Sequence, residues 1–550
     1  MEHEHHQRRI VRPEESKWTE YFIDTPSLSC SCQQLEESMK EKREKLVKKV
    51  GCMIEGYTSS KNNLPEGMKM VDAIERLGVG YHFQEEISRF MAVLNATPAP
   101  ATENVDMAMA ALRFRLLRQH QHNASCDIFE SFVDSNGDFK ETLRRDVDAL
   151  LNLYEAAHLG YCEEDLLKSA VVFTTGCLTA MAGTGQLPRH TVEKVDHALT
   201  SPTMRRMKRL EAKLYISIYE NDEDSNHDIL ELAKLDFHIL QQMHRDEARS
   251  FSLWYKELNA GSTLGPYIRV RPVECYFWAL CVFYEPRYAN ARMMFAKLIK
   301  IFSFFDDTFD SYGTLEELHL FNQAVQRWDE DGAKQIGGCF GYVMSLLSKT
   351  LDEFVAEGAS PLGIDCTKKS IKEVSRCMLQ EVIWREEGQA PLLHDHLKFS
   401  TVSTFYWALA CISFVDPMDA NDDVGVFGWT MSSPKIIENS ATMARLMDDI
   451  SGHETEKDRS GIPDTVECYM KEHGVRVQVA KKALWCLVEE QWRSMNHEFV
   501  SNTVIPVALL QRVINLARLM ETTYKTGHGY TVCSGITEPI SNVLDTCVFH

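Results

Sequence analysis

The sequence predicts an all-α protein with two helical domains, and three observations predict it. Apolar residues recur at helical spacing almost continuously from about Leu35 to Tyr524. Strand-like alternation is scarce, and Gly and Pro fall mainly between the periodic segments. The polar acidic run Glu220-Asn221-Asp222-Glu223-Asp224-Ser225-Asn226-His227-Asp228 interrupts the pattern and reads as a solvated linker. These breaks put an N-terminal segment at 1–30, one helical domain at 31–225 and a second at 226–550. No fixed-period repeat is visible.

In the first domain the charged, amphipathic stretch Glu36–Val50 opens the series. Met68–Leu77 and Tyr81–Asn95 follow, parted by Gly78-Val79-Gly80, and then come Ala108–Gln121, Phe139–Ala157 and Glu163–Ala182. The second domain starts with Ile229–Asn259, after which Gly261–Arg271 is a loop punctuated by Gly and Pro. Cys275–Phe283 is a very apolar aromatic helix. Further helices are predicted over Leu315–Trp328, Cys339–Glu357, Ser370–Arg385, Lys398–Val415, Pro434–Ile450, Val475–Phe499 and Val507–Tyr524. Residues 1–17 are polar and His-rich (His3, His5, His6) and read as a disordered terminus.

At 550 residues the chain can bury large cores, and 44% hydrophobic with 25% charged content is ordinary for a soluble globular protein. A formal net charge of -21 argues against nucleic-acid or anionic-membrane binding. An anionic substrate is still compatible where arginines cluster or metal ions reverse the local field. The 16 cysteines are scattered, with Cys30-Ser31-Cys32 the sole close pair, which points to a reducing compartment. The ending Cys547-Val548-Phe549-His550 fits a prenylation box poorly. Residues 1–18 lack an apolar signal core, and the apolar stretches near Tyr276–Tyr284 and Phe405–Val415 are too short to span a bilayer. The expectation is a cytoplasmic monomer without membrane insertion, or a plastid protein if the N-terminus is truncated.

The chemistry is concentrated in two acidic stretches. An apolar helical run ends in Phe304-Phe305-Asp306-Asp307-Thr308-Phe309-Asp310. If the helix continues, Asp306 and Asp310 lie one turn apart on one face, with Asp307 about 100° around. Like charges at this spacing destabilise a bare helix and are costly to bury unpaired, and a hard divalent cation is the usual remedy. The second stretch, Arg445-Leu446-Met447-Asp448-Asp449-Ile450-Ser451-Gly452-His453-Glu454-Thr455-Glu456, puts Asp448, Gly452 and Glu456 on one stripe. Each stretch alone is compatible with a solvated helix end; together they favour two acidic stripes facing across a cavity in a helical bundle. In the loop before them, Arg269 and Arg271 at i and i+2 suit one phosphate group if the segment is extended.

These residues carry a family resemblance. Asp306-Asp307-Thr308-Phe309-Asp310 resembles the aspartate-rich motif of plant class I terpene synthases, and Asp448-Asp449 with Gly452 and Glu456 resembles their second metal motif. Arg269-Val270-Arg271 is similar to the paired-arginine element before the first motif. Arg8-Arg9, followed after eight residues by Trp18, is similar to the family's N-terminal element. The stretches Leu112–His120 and Glu274–Leu280 also resemble family segments. The likeness spans the whole chain and is strongest to the angiosperm sesquiterpene synthase branch.

The resemblance implies an N-terminal relict (α/α)-barrel domain and a C-terminal class I terpenoid synthase helical bundle. Asp306, Asp307 and Asp310 would bind two Mg²⁺, while Asp448, Gly452 and Glu456 would mark a third ion, with Mn²⁺ as a possible substitute. Arg269, Arg271 and Arg445, with Asp306, Asp310 and Asp448, would hold the diphosphate of a prenyl diphosphate, most simply farnesyl diphosphate. Lys457 would assist. Trp278, Tyr524 and Tyr530 would face the carbocation; Phe302, Phe405, Tyr406 and Trp407 suit either that role or plain core. Lys457–Thr465 and the segment with Arg8, Arg9 and Trp18 would act as lids. Asp146-Val147-Asp148-Ala149 lacks the last acid of a DxDD motif, so protonation-initiated chemistry is not implied. Gly452 stands where Ser or Thr is common, and His528 where the branch usually has Asp. C20 and C25 diphosphates are alternative substrates, a chain-elongating prenyltransferase is an alternative enzyme, and a non-catalytic helical scaffold is an alternative of another class.

Overall fold

The structure is a computed structural model and describes residues 12–24, 30–60, 63–98, 106–416 and 423–548. Arg8, Arg9 and the His-rich tract lie outside the described residues, as does the side chain of Lys457. Helices make up nearly all of the regular structure. Among the described residues there is no strand, only an isolated antiparallel bridge between Val133 and Phe139.

The backbone divides into two compact units. One comprises Leu28–Met243, Arg493–Thr503 and Asn542–His550; the other comprises Met1–Ser27, His244–Trp492 and Val504–Ser541. The division thus falls between Met243 and His244, inside the helix His227–Leu258, and not at the acidic run. That run is a short turn between helices, where Asn226 Oδ1 accepts from the N–H groups of Asp228 at 3.0 Å and Ile229 at 3.2 Å. Its polarity marks a capped helix start.

The N-terminal unit has its core where Val50 and Ile54 of Cys30–Ser59 meet Val71 and Ile74 of Leu64–Arg76, Phe90 of Gln84–Ala96 and Leu116 of Met107–Gln119. Each such side chain contributes about 1.5–3 kcal/mol by leaving water. Buried charges are paired: Arg115 with Asp72 at 2.7 Å and Arg76 with Glu211 at 2.9 Å. The helix expected over Phe139–Ala157 covers only Val147–Ala157, because Asp146 caps it, accepting from Ala149 N–H at 3.0 Å. Asp146 therefore has a local structural use, as a helix cap. Among the described residues one helix, Asp165–Gly183, is long and apolar enough to cross a membrane by length and composition, a candidate that the apolar-run reading missed. Its Leu167, Ala170, Cys177 and Leu178 are buried in the unit.

Seven helices of the other unit matter for function: α1 (Pro272–Val282), α2 (Ala289–Asp307), α3 (Pro361–Glu386), α4 (Leu393–Ser403), α5 (Tyr406–Ser413), α6 (Lys435–Arg459) and α7 (Val507–Tyr524). α1 packs on α2 and α7, α3 on α4 and α5, and α6 on α4, α5 and α7. α2 is apolar around most of its circumference, with Phe295, Leu298, Ile301, Phe304 and Phe305 all fully buried, so it runs through the core rather than along its edge. α6 extends nine residues past the expected end at Ile450 and carries the entire second acidic stretch on one helix. The single helix expected over Lys398–Val415 is two, because Phe405 takes a φ of 64° in the left-handed region.

Candidate active site

α2 ends at Asp307, and Thr308–Tyr312 continues as a π-helical turn, with Gly313 N–H reaching back to Thr308 O at 2.9 Å. The wider turn sits inside the first acidic stretch, so Asp306 and Asp310 are carried across an α-to-π junction and not along a uniform α-helix. Arg385 Nη1 of α3 braces it, donating to Asp310 O at 3.0 Å. Both carboxylates line a cavity together with Arg269, Arg445, Asp448, Asp449, Glu456 and Arg459. The same cavity is walled by Trp278, Phe302, Phe405, Tyr406, Tyr524 and Tyr530. The space among these residues, with open solvent at the mouth, is about 1170 Å³.

The acids are met by cations. Arg269 pairs with Asp306 and, through Nε, with Asp307 at 2.7 Å. Arg459 bridges both stretches, reaching Asp310 at 2.6 Å with Nη2 and Glu456 at 2.6 Å with Nε. Arg445 pairs with Asp448 and Asp449, and His528 Nε2 lies 2.9 Å from Asp448 Oδ1. Burial raises Asp306 and pushes Asp310 up to about 7, the neighbouring Asp306 charge adding to it. In the second stretch burial acts the same way, but Arg445 and His528 outweigh it at Asp448, which is lowered. Arg459, His528 and Arg269 bring Glu456 down to about 2.

The sequence-predicted residues divide accordingly. Asp306, Asp310, Asp448, Glu456, Arg269, Arg445, Trp278 and Tyr524 line one cavity. Asp307, Gly452, Arg271 and Trp407 do not line it. Asp307 is fully buried, accepts the Arg269 backbone N–H at 2.8 Å and holds the loop against α2. Arg271 donates to the carbonyls of Tyr530 and Thr531 at 3.0 Å each and to Glu14 O at 2.7 Å, so it fastens the C-terminal segment and the stretch before Trp18. Trp18 is itself buried, stacked on Phe22.

Glu381 and His396 line the cavity without a place in the sequence reading, and Arg459 and Asp449 fall inside its lid and second motif without a role of their own. Arg459 lies three residues after Glu456 on the same helix, a signal that was available. Glu381 on α3 is buried, accepts from Ser403 Oγ at 3.1 Å and is pushed up to about 8 by that burial. His396 is lowered to about 4 by burial, with the Arg445 charge adding to it, and its Nε2 bonds Pro463 O at 2.8 Å. Asp449 accepts from Thr465 N–H at 2.7 Å. The last two fasten the loop after α6.

Among the described residues no three acidic or imidazole groups already close on one metal-sized point, because the arginines stand between them. The donor set nevertheless fits a hard divalent cation: carboxylates from both acidic stretches line one cavity, and at Asp306 and Asp310 the arginines do not offset the effect of burial.

A family model described as the terpene synthase family, metal binding domain, matches residues 256–494, and one for the terpene synthase N-terminal domain matches residues 17–199. The chain is 37% identical over 528 residues to (-)-germacrene D synthase of Vitis vinifera, covering 95% of this chain and 93% of the relative. The chain belongs to the terpene synthase family. It is also 36% identical to Sesquiterpene synthase 2 of Toona sinensis, over 95% of this chain and 93% of that one. Among solved structures, isoprene synthase from grey poplar leaves (Populus x canescens) in complex with three Mg²⁺ ions and dimethylallyl-S-thiolodiphosphate aligns with a TM-score of 0.82. That alignment has 27% identity and covers 93% of this chain and 98% of the poplar chain. The two-domain helical fold and the enzyme class expected from the motifs are therefore those of a terpene synthase, a lyase with a metal-binding domain.

Proposed function

We propose that this terpene synthase is a Mg²⁺-dependent sesquiterpene synthase that ionises farnesyl diphosphate, cyclises the carbocation and releases diphosphate. The observation that carries the reading is the cavity itself, lined by carboxylates and arginines of both acidic stretches together with aromatic side chains. Asp306 and Asp310 from one side, and Asp448 and Glu456 from the other, would hold three divalent ions, Mg²⁺ first and Mn²⁺ as a substitute. Bound there, the ions supply Lewis-acid neutralisation of charge on the diphosphate oxygens as the allylic C–O bond breaks. Arg269 and Arg445, both lining the cavity, would take the released diphosphate through paired N–H groups and keep it from the cation. Arg271 supports this at one remove, by fixing the segment that carries Tyr530.

In the same cavity, Trp278, Phe302, Phe405, Tyr406 and Tyr524 exclude water, which would quench a cation. Their ring faces each offer roughly 0.5–2 kcal/mol of stabilisation to positive charge without supplying a nucleophile. The relative named as a sesquiterpene synthase supports the C15 substrate. A cytoplasmic monomer, without membrane insertion or nucleic-acid binding, completes the proposal. The alternative is the same chemistry on a C20 or C25 diphosphate. Purified protein incubated with Mg²⁺ and C10, C15, C20 or C25 prenyl diphosphates decides between them by pyrophosphate release and identification of the hydrocarbons. Fastest release and cyclic C15 products are expected with farnesyl diphosphate. Release only with the longer chains would select the alternative, and none with any of them would leave a scaffold.

A further inference from the structure

α6 meets the segment after α7 at a residue that has no side chain. A Cβ on Gly452 would stand 2.6 Å from Cδ2 of His528 and 3.1 Å from its Nε2. The same Nε2 lies 2.9 Å from Asp448 Oδ1 and 3.6 Å from Glu456 Oε1, which belong to the residues one turn before and one turn after Gly452. The ring cannot retreat. Its Nδ1 accepts the Thr531 N–H at 3.1 Å, and the Tyr524 ring packs edge-on at 5.0 Å. An Nδ1 that accepts leaves the proton on Nε2, so His528 donates towards Asp448. Thr531 continues the chain of contacts: its Oγ1 donates to Glu456 Oε1 at 2.7 Å and accepts from Arg269 Nη1 at 3.2 Å.

We propose that His528 is a positioning residue for Asp448 and Glu456, and that glycine at 452 is a requirement of its ring, so that the two positions act as one unit. This rests on the reading that these carboxylates hold divalent metal. The imidazole lies across the gap that glycine leaves and ties two carboxylates that are eight residues apart on α6. A side chain at 452 would displace the ring, and loss of the ring would free Asp448 Oδ1 to reorient. Partners of this kind, one step behind the ligands, set metal affinity by orienting the ligand oxygens.

The test is Mn²⁺ binding to the full chain in the presence of inorganic pyrophosphate, followed by electron paramagnetic resonance. Thermal melting of the metal-free protein checks that each variant folds. His528→Leu, without the N–H, should bind Mn²⁺ about 10–100-fold more weakly, whereas His528→Gln, which keeps a donor, should recover most of that loss. Gly452→Ala should weaken binding about tenfold or more in the parent chain and hardly at all in a His528→Ala background, the signature of coupled sites. Wild-type binding by folded His528→Leu, or additive effects of Gly452→Ala and His528→Ala, would overturn the proposal. Asp448→Asn separates the two failures. If it binds Mn²⁺ as the parent does, the metal reading falls and takes the proposal with it; if it binds weakly while His528→Leu binds normally, the proposal alone falls.

Discussion

The two acidic stretches resemble each other in sequence and differ in electrostatics. Asp306 near the end of α2 and Asp310 in the turn after it are raised first by burial, with the Asp307 charge adding at Asp306 and the Asp306 charge at Asp310, even with Arg269 and Arg459 beside them. Asp448 and Glu456, on α6, are held below their ordinary range by Arg445, Arg459, Arg269 and His528. At Asp306 and Asp310 burial leaves a surplus that the arginines do not offset; at Asp448 and Glu456 the cations outweigh it, although Asp449 beside them is raised. The first therefore gains most from an added cation, while the second must exchange a resident cation for one.

Removal of a resident cation is the largest perturbation. Arg445→Met leaves Asp448 and Asp449 unpaired beside the cavity and should cost roughly 3–5 kcal/mol of unfolding free energy, read from urea melts. Asp306→Ala acts on the surplus side. Pyrophosphate release from farnesyl diphosphate should fall on the order of 10²–10³-fold or more, while metal-free stability stays level or rises because a like charge has gone. If Asp306→Ala lost as much stability as Arg445→Met, the contrast between the stretches would be wrong. Arg459→Gln should lower metal-free stability by about 1–3 kcal/mol, and Mg²⁺ with pyrophosphate should restore more in the variant than in the parent.

The smallest effect expected is in pH. Asp310 and Asp449 are pushed up to about 7 and Glu381 to about 8, all by burial first. A carboxyl whose folded pKa exceeds its unfolded value of about 4 favours folding while protonated. That contribution is complete below about pH 4 and is lost as pH rises through 7 to 8. The metal-free protein should melt lower at pH 8 than at pH 6, and Mg²⁺ with pyrophosphate should narrow the gap. Equal melting at the two pH values would sink the claim that burial holds these carboxyls protonated near neutral pH.

Much of this was legible in the sequence, for physical reasons. Helix periodicity located α2, α6 and α7, because each buries an apolar stripe, and the i, i+4, i+8 spacing placed Asp448, Gly452 and Glu456 on one face. The break at Phe405 was hidden, since the apolar run continues through a residue whose left-handed φ is set by tertiary packing. The π turn after Asp307 leaves no mark in composition. Asp307 and Arg271 read as site residues because adjacent side chains of one motif look equivalent until the fold turns them different ways. His528 read only as a departure; its meeting with Gly452 joins positions 76 residues apart, a contact no local pattern encodes.

Both stretches should hold metal around one diphosphate. The most direct measurement is the number of Mn²⁺ ions bound per chain with inorganic pyrophosphate present, for the parent, Asp306→Ala and Glu456→Gln. Three ions are expected for the parent, as in the complex of the poplar relative, with a loss of up to two in Asp306→Ala and of one in Glu456→Gln. A parent that binds no Mn²⁺ with pyrophosphate, or a stoichiometry unchanged in both variants, would contradict it.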